Sequence, residues 1–123
     1  MEIDNKGYSN LFIRLREPDQ CNLWNKNNLT TEDLEFEIIQ IYLDESHFSR
    51  SLVRCKECGQ LYYSEFYEII DWDDGDDNQF RTYIPIDSNP NIIENLNNMS
   101  PLELLGCSPR LQRDNASKIQ WRK

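Results

Sequence analysis

Two cysteines three residues apart carry the clearest chemistry in this sequence. Cys55 and Cys58 are separated by two residues, and Gly59 follows directly. The flanking residues, 51–53 and 61–67, are rich in apolar and aromatic types that favour strands. A tight turn at the tip of a hairpin can present two thiolates to one metal ion, and a glycine there accepts the positive φ that points backbone amides at the sulfurs. The stretch therefore predicts a zinc knuckle.

A structural zinc ion takes four ligands, so the rest of the chain must supply two. Cys21, His47 and Cys107 are the further candidates of suitable type. Cys21 lies in a polar, turn-rich segment and His47 just before the strand that leads into the knuckle, so we rank them ahead of Cys107. In the alternative interpretation both cysteines are small buried apolar residues and the histidine is a surface residue. The predicted ligands are Cys55, Cys58, His47 and Cys21, with Cys107 as a substitute.

The sequence gives no support for an enzyme. A redox pair of cysteines belongs at the start of a helix that follows a strand, whereas strands flank Cys55 and Cys58 here, and Glu57 opposes thiolate formation. A catalytic zinc needs an open position and a glutamate base, and none stands out among the many acids. The chain has one histidine and no nucleophile elbow, dinucleotide-binding or P-loop motif.

Length and composition predict one domain over residues 1–123. The chain has 123 residues, of which 38% are apolar. No apolar run approaches the roughly 20 residues of a membrane span, and no signal peptide is visible at the start. We therefore expect a cytoplasmic protein without membrane contact, in which four cysteines favour metal binding or free thiols over disulfides.

Negative charge is concentrated in one part of the chain. The net charge is −9, and residues 32–77 hold 14 of the 22 acids but only three bases. The knuckle lies inside this acidic region, which would repel a phosphate backbone and attract basic proteins. The charge pattern therefore argues against nucleic-acid binding.

The densest acidic cluster follows the second knuckle strand. Its spacing does not match a calcium loop. An EF-hand loop has glycine at its sixth position, whereas Gly75 is at the fifth position of a loop that begins at Asp71. A solvated hairpin turn is one interpretation, and a charge-complementary face for a basic protein is the other. The predicted partner-binding residues are Asp71, Trp72, Asp73, Asp74, Asp76 and Asp77.

Residues 31–45 are the most ambiguous segment. Thr30 or Thr31 can cap a helix, and the acids that follow suit the positive end of a helix dipole. We therefore predict a helix over about 31–45. A strand over 36–43 is the alternative, because its isoleucines and tyrosine suit a sheet equally well.

The remaining elements predict an α+β fold, with a small antiparallel sheet and two or three short helices. The zinc-ribbon-like hairpin joins strands over about 50–55 and 61–72, and further strands are expected near Leu11–Leu15, at 80–86 and at 118–121. Short helices begin after Ser88 and Ser100, the second with a serine cap, proline at the first position and glutamate at the third.

Three segments carry a resemblance to known proteins: 45–62, Ile70-Asp71-Trp72 and Tyr83–Ile86. Together they resemble small uncharacterised bacterial proteins with a single cysteine knuckle, and the knuckle itself resembles that of zinc ribbons. In size, acidity and asparagine and isoleucine content, the chain is similar to immunity proteins of bacterial toxin systems. The resemblance implies binding to another protein without catalysis.

The predicted function is that of an acidic protein-binding module with a structural zinc knuckle. In its most concrete form it is an immunity protein or antitoxin that covers the basic active site of a toxin. The alternative is a zinc-ribbon accessory or regulatory protein, which would contact nucleic acid or a transcription complex through the bases near the C-terminus. Those bases are Arg110, Arg113, Lys118, Arg122 and Lys123.

Overall fold

The computed structural model describes residues 13–69, 78–115 and 118–123. It confirms the predicted α+β class, with a six-stranded antiparallel sheet and three short helices. In chain order the elements are β1 (Ile13–Arg14), α1 (Asn22–Asn25), a 3-10 turn (Thr31–Asp33), β2 (Phe36–Glu45), β3 (Phe48–Cys55), β4 (Leu61–Ile69), β5 (Asn78–Ile86), α2 (Pro90–Asn97), α3 (Pro101–Leu104), β6 (Cys107–Ser108), β7 (Arg110–Asp114) and β8 (Gln120–Arg122).

A six-stranded antiparallel sheet forms the centre of the molecule, in the order β2-β3-β4-β5-β7-β8. The first four strands are joined as a meander, and β7 pairs with β5 after the chain has passed through α2 and α3. Strands β1 and β6 form a separate parallel pair, in which Ile13 lies opposite Cys107. The predicted antiparallel meander through the knuckle is therefore confirmed.

The sheet has a hydrophobic core on each face. Successive side chains of a strand point to opposite faces, so neighbours such as Leu52 and Val53, or Tyr62 and Tyr63, enter different cores. The core on the knuckle side, here the knuckle-side core, comprises Cys21, Leu23, Leu29, Val53, Cys55, Tyr62, Leu111 and Ile119. The core beneath the helices, here the helix-side core, comprises Leu52, Tyr63, Ile84, Ile86, Leu96, Leu104 and Cys107.

The prediction of a helix over 31–45 is wrong, and the alternative strand is present instead. The expected cap exists, because Thr30 and Asp33 form a reciprocal capping box, but it starts only one 3-10 turn. From Phe36 onward the chain pairs with β3 over ten residues. The β-branched run gains a ladder of backbone hydrogen bonds to β3, which outweighs the local capping preference.

Other boundaries agree with the predictions within a few residues. The helix that begins after Ser100 has the expected capping box with Glu103, and the helix near residue 90 is capped by Asn89. The predicted strand 61–72 ends at Ile69 among the described residues. In the described ranges the longest helix has eight residues, too short to cross a membrane.

A buried ion pair joins the sheet to helix α2. Arg50 on β3 and Glu65 on β4 lie opposite each other, and the guanidinium contacts the carboxylate at 2.8 and 3.0 Å. Arg50 also donates to the backbone carbonyls of Leu96, Asn97 and Met99. A positive charge at these last carbonyls complements the negative end of the helix dipole, so Arg50 holds the end of α2 on the sheet.

Candidate metal centre

The knuckle is the tight connection between β3 and β4. The N–H of Cys55 donates to the carbonyl of Gln60 at 2.8 Å, and the N–H of Gly59 donates back to the carbonyl of Cys55 at 2.9 Å. Gly59 has φ +82°, and a Cβ added there would meet no atom within 4 Å. The glycine is therefore required for its backbone conformation and not for space, as the sequence predicted.

Cys21 reaches the knuckle from the N-cap position of α1. Its backbone N–H donates to the carbonyl of Pro18, which forms a turn just before the helix. Leu23, the second residue of α1, is fully buried. The indole N–H of Trp121 on β8 donates to the backbone carbonyl of Leu23 at 2.9 Å. Strand β8, at the edge of the sheet opposite to β2, therefore holds the short helix next to this cysteine in place.

The sulfurs of Cys21, Cys55 and Cys58 all lie within 4.8 Å of one another. The first two cysteines are buried and the third is exposed, and all three are free thiols. Three sulfurs bound tetrahedrally to zinc would be about 3.8 Å apart, given a metal–sulfur distance of about 2.3 Å. That spacing falls within the 4.8 Å limit, so the cluster could hold a metal ion.

A tyrosine hydroxyl supports the buried sulfur of Cys21. Tyr62, fully buried on β4, donates its hydroxyl to Cys21 Sγ at 3.1 Å. Burial raises the pKa of the Cys21 thiol to about 12, although the hydrogen bonds from Tyr62 and from the backbone of Leu23 act in the opposite direction. Burial also raises the pKa of Tyr62, so this hydroxyl keeps its proton and remains a donor.

The exposed sulfur of Cys58 is surrounded by donors. Partial burial by itself would raise its pKa, but the backbone N–H of Gln60, the thiols of Cys21 and Cys55 and the backbone N–H of Asn22 together lower it below the ordinary value. The predicted alignment of backbone amides with a knuckle sulfur is therefore present. Cys58 is therefore better prepared than Cys21 to lose its proton.

Asn22 lies against all three sulfurs. Besides its backbone contact with Cys58, its side-chain oxygen Oδ1 is 3.4 Å from Cys55 Sγ and 3.8 Å from Cys21 Sγ. Its amide nitrogen Nδ2 donates to Oε2 of Glu57 at 3.3 Å. Because Glu57 can only accept this hydrogen bond, the contact orients the amide so that its oxygen faces the sulfurs.

His47 is not at the metal centre, so its prediction as a ligand is wrong. It lies in the turn between β2 and β3, and its Nδ1 contacts Oε1 of Glu68 at 2.8 Å. Strand β3 separates it from Cys55 at the far end, a distance of about 24 Å for eight residues at roughly 3.4 Å each. A histidine next to the start of a strand is as far as possible from a site at its end.

Cys107, the predicted substitute ligand, is also remote from the cluster. It lies on β6 in the helix-side core, on the opposite face of the sheet from Cys21. Its side chain is fully buried, and burial raises the pKa of its thiol to about 11. Cys107 therefore packs as the small apolar residue of the alternative interpretation.

The predicted partner-binding residues Asp71, Trp72, Asp73, Asp74, Asp76 and Asp77 lie outside the described residues. Two residues of the metal centre, Asn22 and Tyr62, were not predicted. Asn22 directly follows Cys21, and this adjacency was the one available signal. Tyr62 has no signal of its own, because its contact depends on how a distant segment folds over β4.

A scan against protein-family models and searches of the curated proteins and of the solved structures gave no match.

Proposed function

We propose that this chain is a non-enzymatic, acidic protein-binding module whose sheet is held at one end by a zinc ion. The observation that carries the proposal is the cluster of Cys21, Cys55 and Cys58, with every pair of sulfurs within 4.8 Å. Thiolates are soft ligands, and tetrahedral sulfur sites are typical of structural zinc. The ion would join α1 to the tip of the β3–β4 hairpin, across 33 residues of chain between Cys21 and Cys55.

Strand β2 supports the protein-binding part of the proposal. It forms one edge of the sheet, so its outer backbone groups have no neighbouring strand in the described part of the chain. Ile38, Ile39 and Ile41 are 62, 42 and 55% exposed. A long edge strand with exposed apolar side chains offers a template on which an extended segment of another protein can pair.

Charge favours a basic partner at this edge. Residues 32–47 contain six acids and no lysine or arginine. A second copy of the chain would bring the same acids against each other, which like-charge repulsion disfavours. Bulges at Ile39 and Tyr42 bend the strand, which also limits pairing between identical edges. The proposed occupant is therefore an extended, lysine- or arginine-rich segment of a different protein.

An immunity protein or antitoxin is the most concrete form of this proposal. A toxin that acts on nucleic acid has a basic active site, because it must hold phosphate. An acidic edge strand could cover such a site with favourable long-range attraction. Such a complex would form in the cytoplasm, where zinc-bound thiolates are also protected from forming disulfides.

Elemental analysis of the purified protein tests the zinc part. We expect about one zinc per chain, lost when the protein is exchanged into a strong chelator at neutral pH. The proposal would be contradicted by a protein that contains no zinc although all its thiols are reduced, and whose thermal stability is the same with and without zinc.

A synthetic peptide of alternating lysine and valine tests the edge. We expect it to bind with an affinity that falls as salt rises, and to protect the amides of residues 36–45 from hydrogen exchange. The double variant Ile38→Lys, Ile41→Lys should lose this binding. Leu102→Lys is the matched control, because Leu102 is 76% exposed on α3. Protection elsewhere, or equal binding of a glutamate–valine peptide, would contradict the assignment.

A second candidate, contact with nucleic acid, has one observation in its favour. A shallow cavity of about 590 Å³ is lined by two tryptophans and three lysines: Trp24, Trp121, Lys26, Lys118 and Lys123. Lys123 Nζ lies 4.5 Å from the ring centroid of Trp24. Aromatic rings beside lysines can stack bases and neutralise phosphates. Binding of a short single-stranded oligonucleotide that Trp24→Ala abolishes would support this candidate over the first.

A further inference from the structure

Three cysteines leave a tetrahedral zinc site one ligand short. A structural site is normally closed by four protein ligands, whereas three protein ligands and a water are typical of catalytic zinc. Of the further ligands predicted from the sequence, His47 is at the far end of β3 and Cys107 is on the other face of the sheet. Among the described residues, a fourth protein ligand would therefore come from a group other than these two.

Asn22 has the required position. In a tetrahedral site with a metal–sulfur distance of about 2.3 Å and a metal–oxygen distance of about 2.1 Å, ligand sulfur and oxygen atoms are about 3.6 Å apart. Oδ1 of Asn22 is 3.4 Å from the sulfur of Cys55 and 3.8 Å from that of Cys21. Both distances are close to the value for atoms that share one metal ion.

The orientation of the amide is also suitable. Nδ2 of Asn22 donates to Glu57 at 3.3 Å, so turning the amide over would place an oxygen against the carboxylate. A carboxylate that accepts from a ligand's N–H increases the electron density on the ligand atom and fixes its direction. Glu57 lies inside the knuckle, between the two cysteines, and therefore moves with the site.

We propose that Asn22 supplies the fourth ligand of this metal site through its side-chain oxygen, oriented by Glu57. This inference rests on the zinc site proposed above. The ligand set is three thiolates and one neutral amide oxygen, which leaves a net charge of −1 on a zinc centre. An amide oxygen binds zinc more weakly than a thiolate, so this position is the one at which the ion exchanges ligands first.

Cobalt(II) and zinc titrations of the full chain test the proposal. We expect the wild type to give the visible absorption of a tetrahedral cobalt site and to bind imidazole only at concentrations well above those that saturate Asn22→Ala. Asn22→Ala should bind zinc roughly 10- to 100-fold more weakly and admit imidazole, seen as a shift of the cobalt bands. Asn22→Cys should shift the bands toward those of a four-thiolate site. Asn27→Ala is the matched control, since Asn27 is exposed in the loop after α1.

A pair of substitutions separates ligation from a structural role of the amide. Asn22→Asp combined with Glu57→Gln keeps an oxygen at position 22 and reverses the hydrogen bond to position 57. Ligation by the oxygen predicts zinc affinity at or above that of the wild type in this double variant. If Asn22→Ala has the zinc affinity and cobalt spectrum of the wild type, Asn22 is not the ligand, whereas a wild type without any bound metal would overturn the zinc site itself.

Discussion

The hydroxyl of Tyr62 donates to the sulfur of Cys21 at 3.1 Å, across 41 positions of sequence. This hydrogen bond connects the start of β4 to the N-cap of α1 and supplies a buried sulfur with a donor. A thiolate in an apolar surrounding is stabilised by such a donor, which favours the metal-binding form of the cysteine. The tyrosine therefore belongs to the candidate metal centre, although it is not one of the proposed ligands.

Tyr62→Phe should weaken zinc binding while leaving the fold intact. The ring still fills the knuckle-side core, but the donor to Cys21 is lost, so we expect an affinity roughly 10-fold lower in competition with a chromophoric chelator. Tyr63→Phe is the control, because the Tyr63 hydroxyl donates to Asn97 on the other face of the sheet. Equal losses in the two variants would contradict a specific contribution of Tyr62.

Replacing the cysteines one at a time should separate ligands from packing residues. We expect most of the bound zinc to be lost in each of three variants, Cys21→Ser, Cys55→Ser and Cys58→Ser. We expect it to be kept in Cys107→Ser and His47→Ala. Cys58 is the most informative position, since it is exposed and its substitution leaves both cores unchanged. Zinc content per folded chain is the measurement, and retention by Cys58→Ser would exclude the three-cysteine site.

Gly59→Ala should destabilise the knuckle by about 1–2 kcal/mol, the cost of holding a residue with a Cβ in the left-handed region. The added methyl group would meet no neighbour, so strain is the only source of the loss. Gly59→Asn should cost less, because asparagine tolerates positive φ better than alanine. Denaturant unfolding of the zinc-loaded protein measures both, and equal losses would point to a steric cause instead.

The buried pair Arg50–Glu65 should make stability depend on pH in an identifiable way. Burial raises the pKa of Glu65 above its ordinary value, although the hydrogen bond and charge of Arg50 oppose the shift. In the window between the ordinary and the raised value, the folded chain binds more protons than the unfolded chain. The contribution of Glu65 is therefore fully present below the ordinary value and is lost as pH rises through the raised one.

Glu65→Gln tests this dependence, because glutamine keeps the shape of the side chain but does not titrate. We expect the free energy of unfolding of the wild type, minus that of the variant, to decrease as pH rises from about 4 to 7. Urea unfolding at several pH values measures the difference. A difference that increases over this range would mean that Arg50 outweighs burial and lowers the pKa of Glu65.

Part of the fold followed from local sequence signals. The hairpin through Cys55 and Cys58, the glycine conformation and the capped helix after Ser100 depend on neighbours in sequence, and all three were predicted. Strand β2 is only the alternative prediction, because the capping box at Thr30 is real but local, whereas pairing with β3 is a tertiary interaction. The conformational preferences of neighbouring residues do not reveal whether the local cap or the pairing with β3 prevails.

The metal centre shows the same division. Cys21 was predicted as a ligand because it lies in an irregular segment, and it does reach the knuckle. His47 was chosen for its nearness to the strand that leads into the knuckle, but the strand extends away from it. Asn22 was missed because an amide is ordinary in a loop, and its significance depends on three sulfurs from two distant segments.

The spacing of Cys21 and Cys55 along the chain has a consequence for the unfolded state. A metal ion that stays bound to both closes a loop of about 35 residues, as a disulfide would, and removes conformations that the open chain could explore. On the chain-entropy account this cross-link is worth about 4 kcal/mol at 25 °C. Unlike a disulfide, it can be made and released without an oxidant or reductant. The availability of metal would then determine by how much the conformational entropy of the unfolded chain is reduced before folding begins.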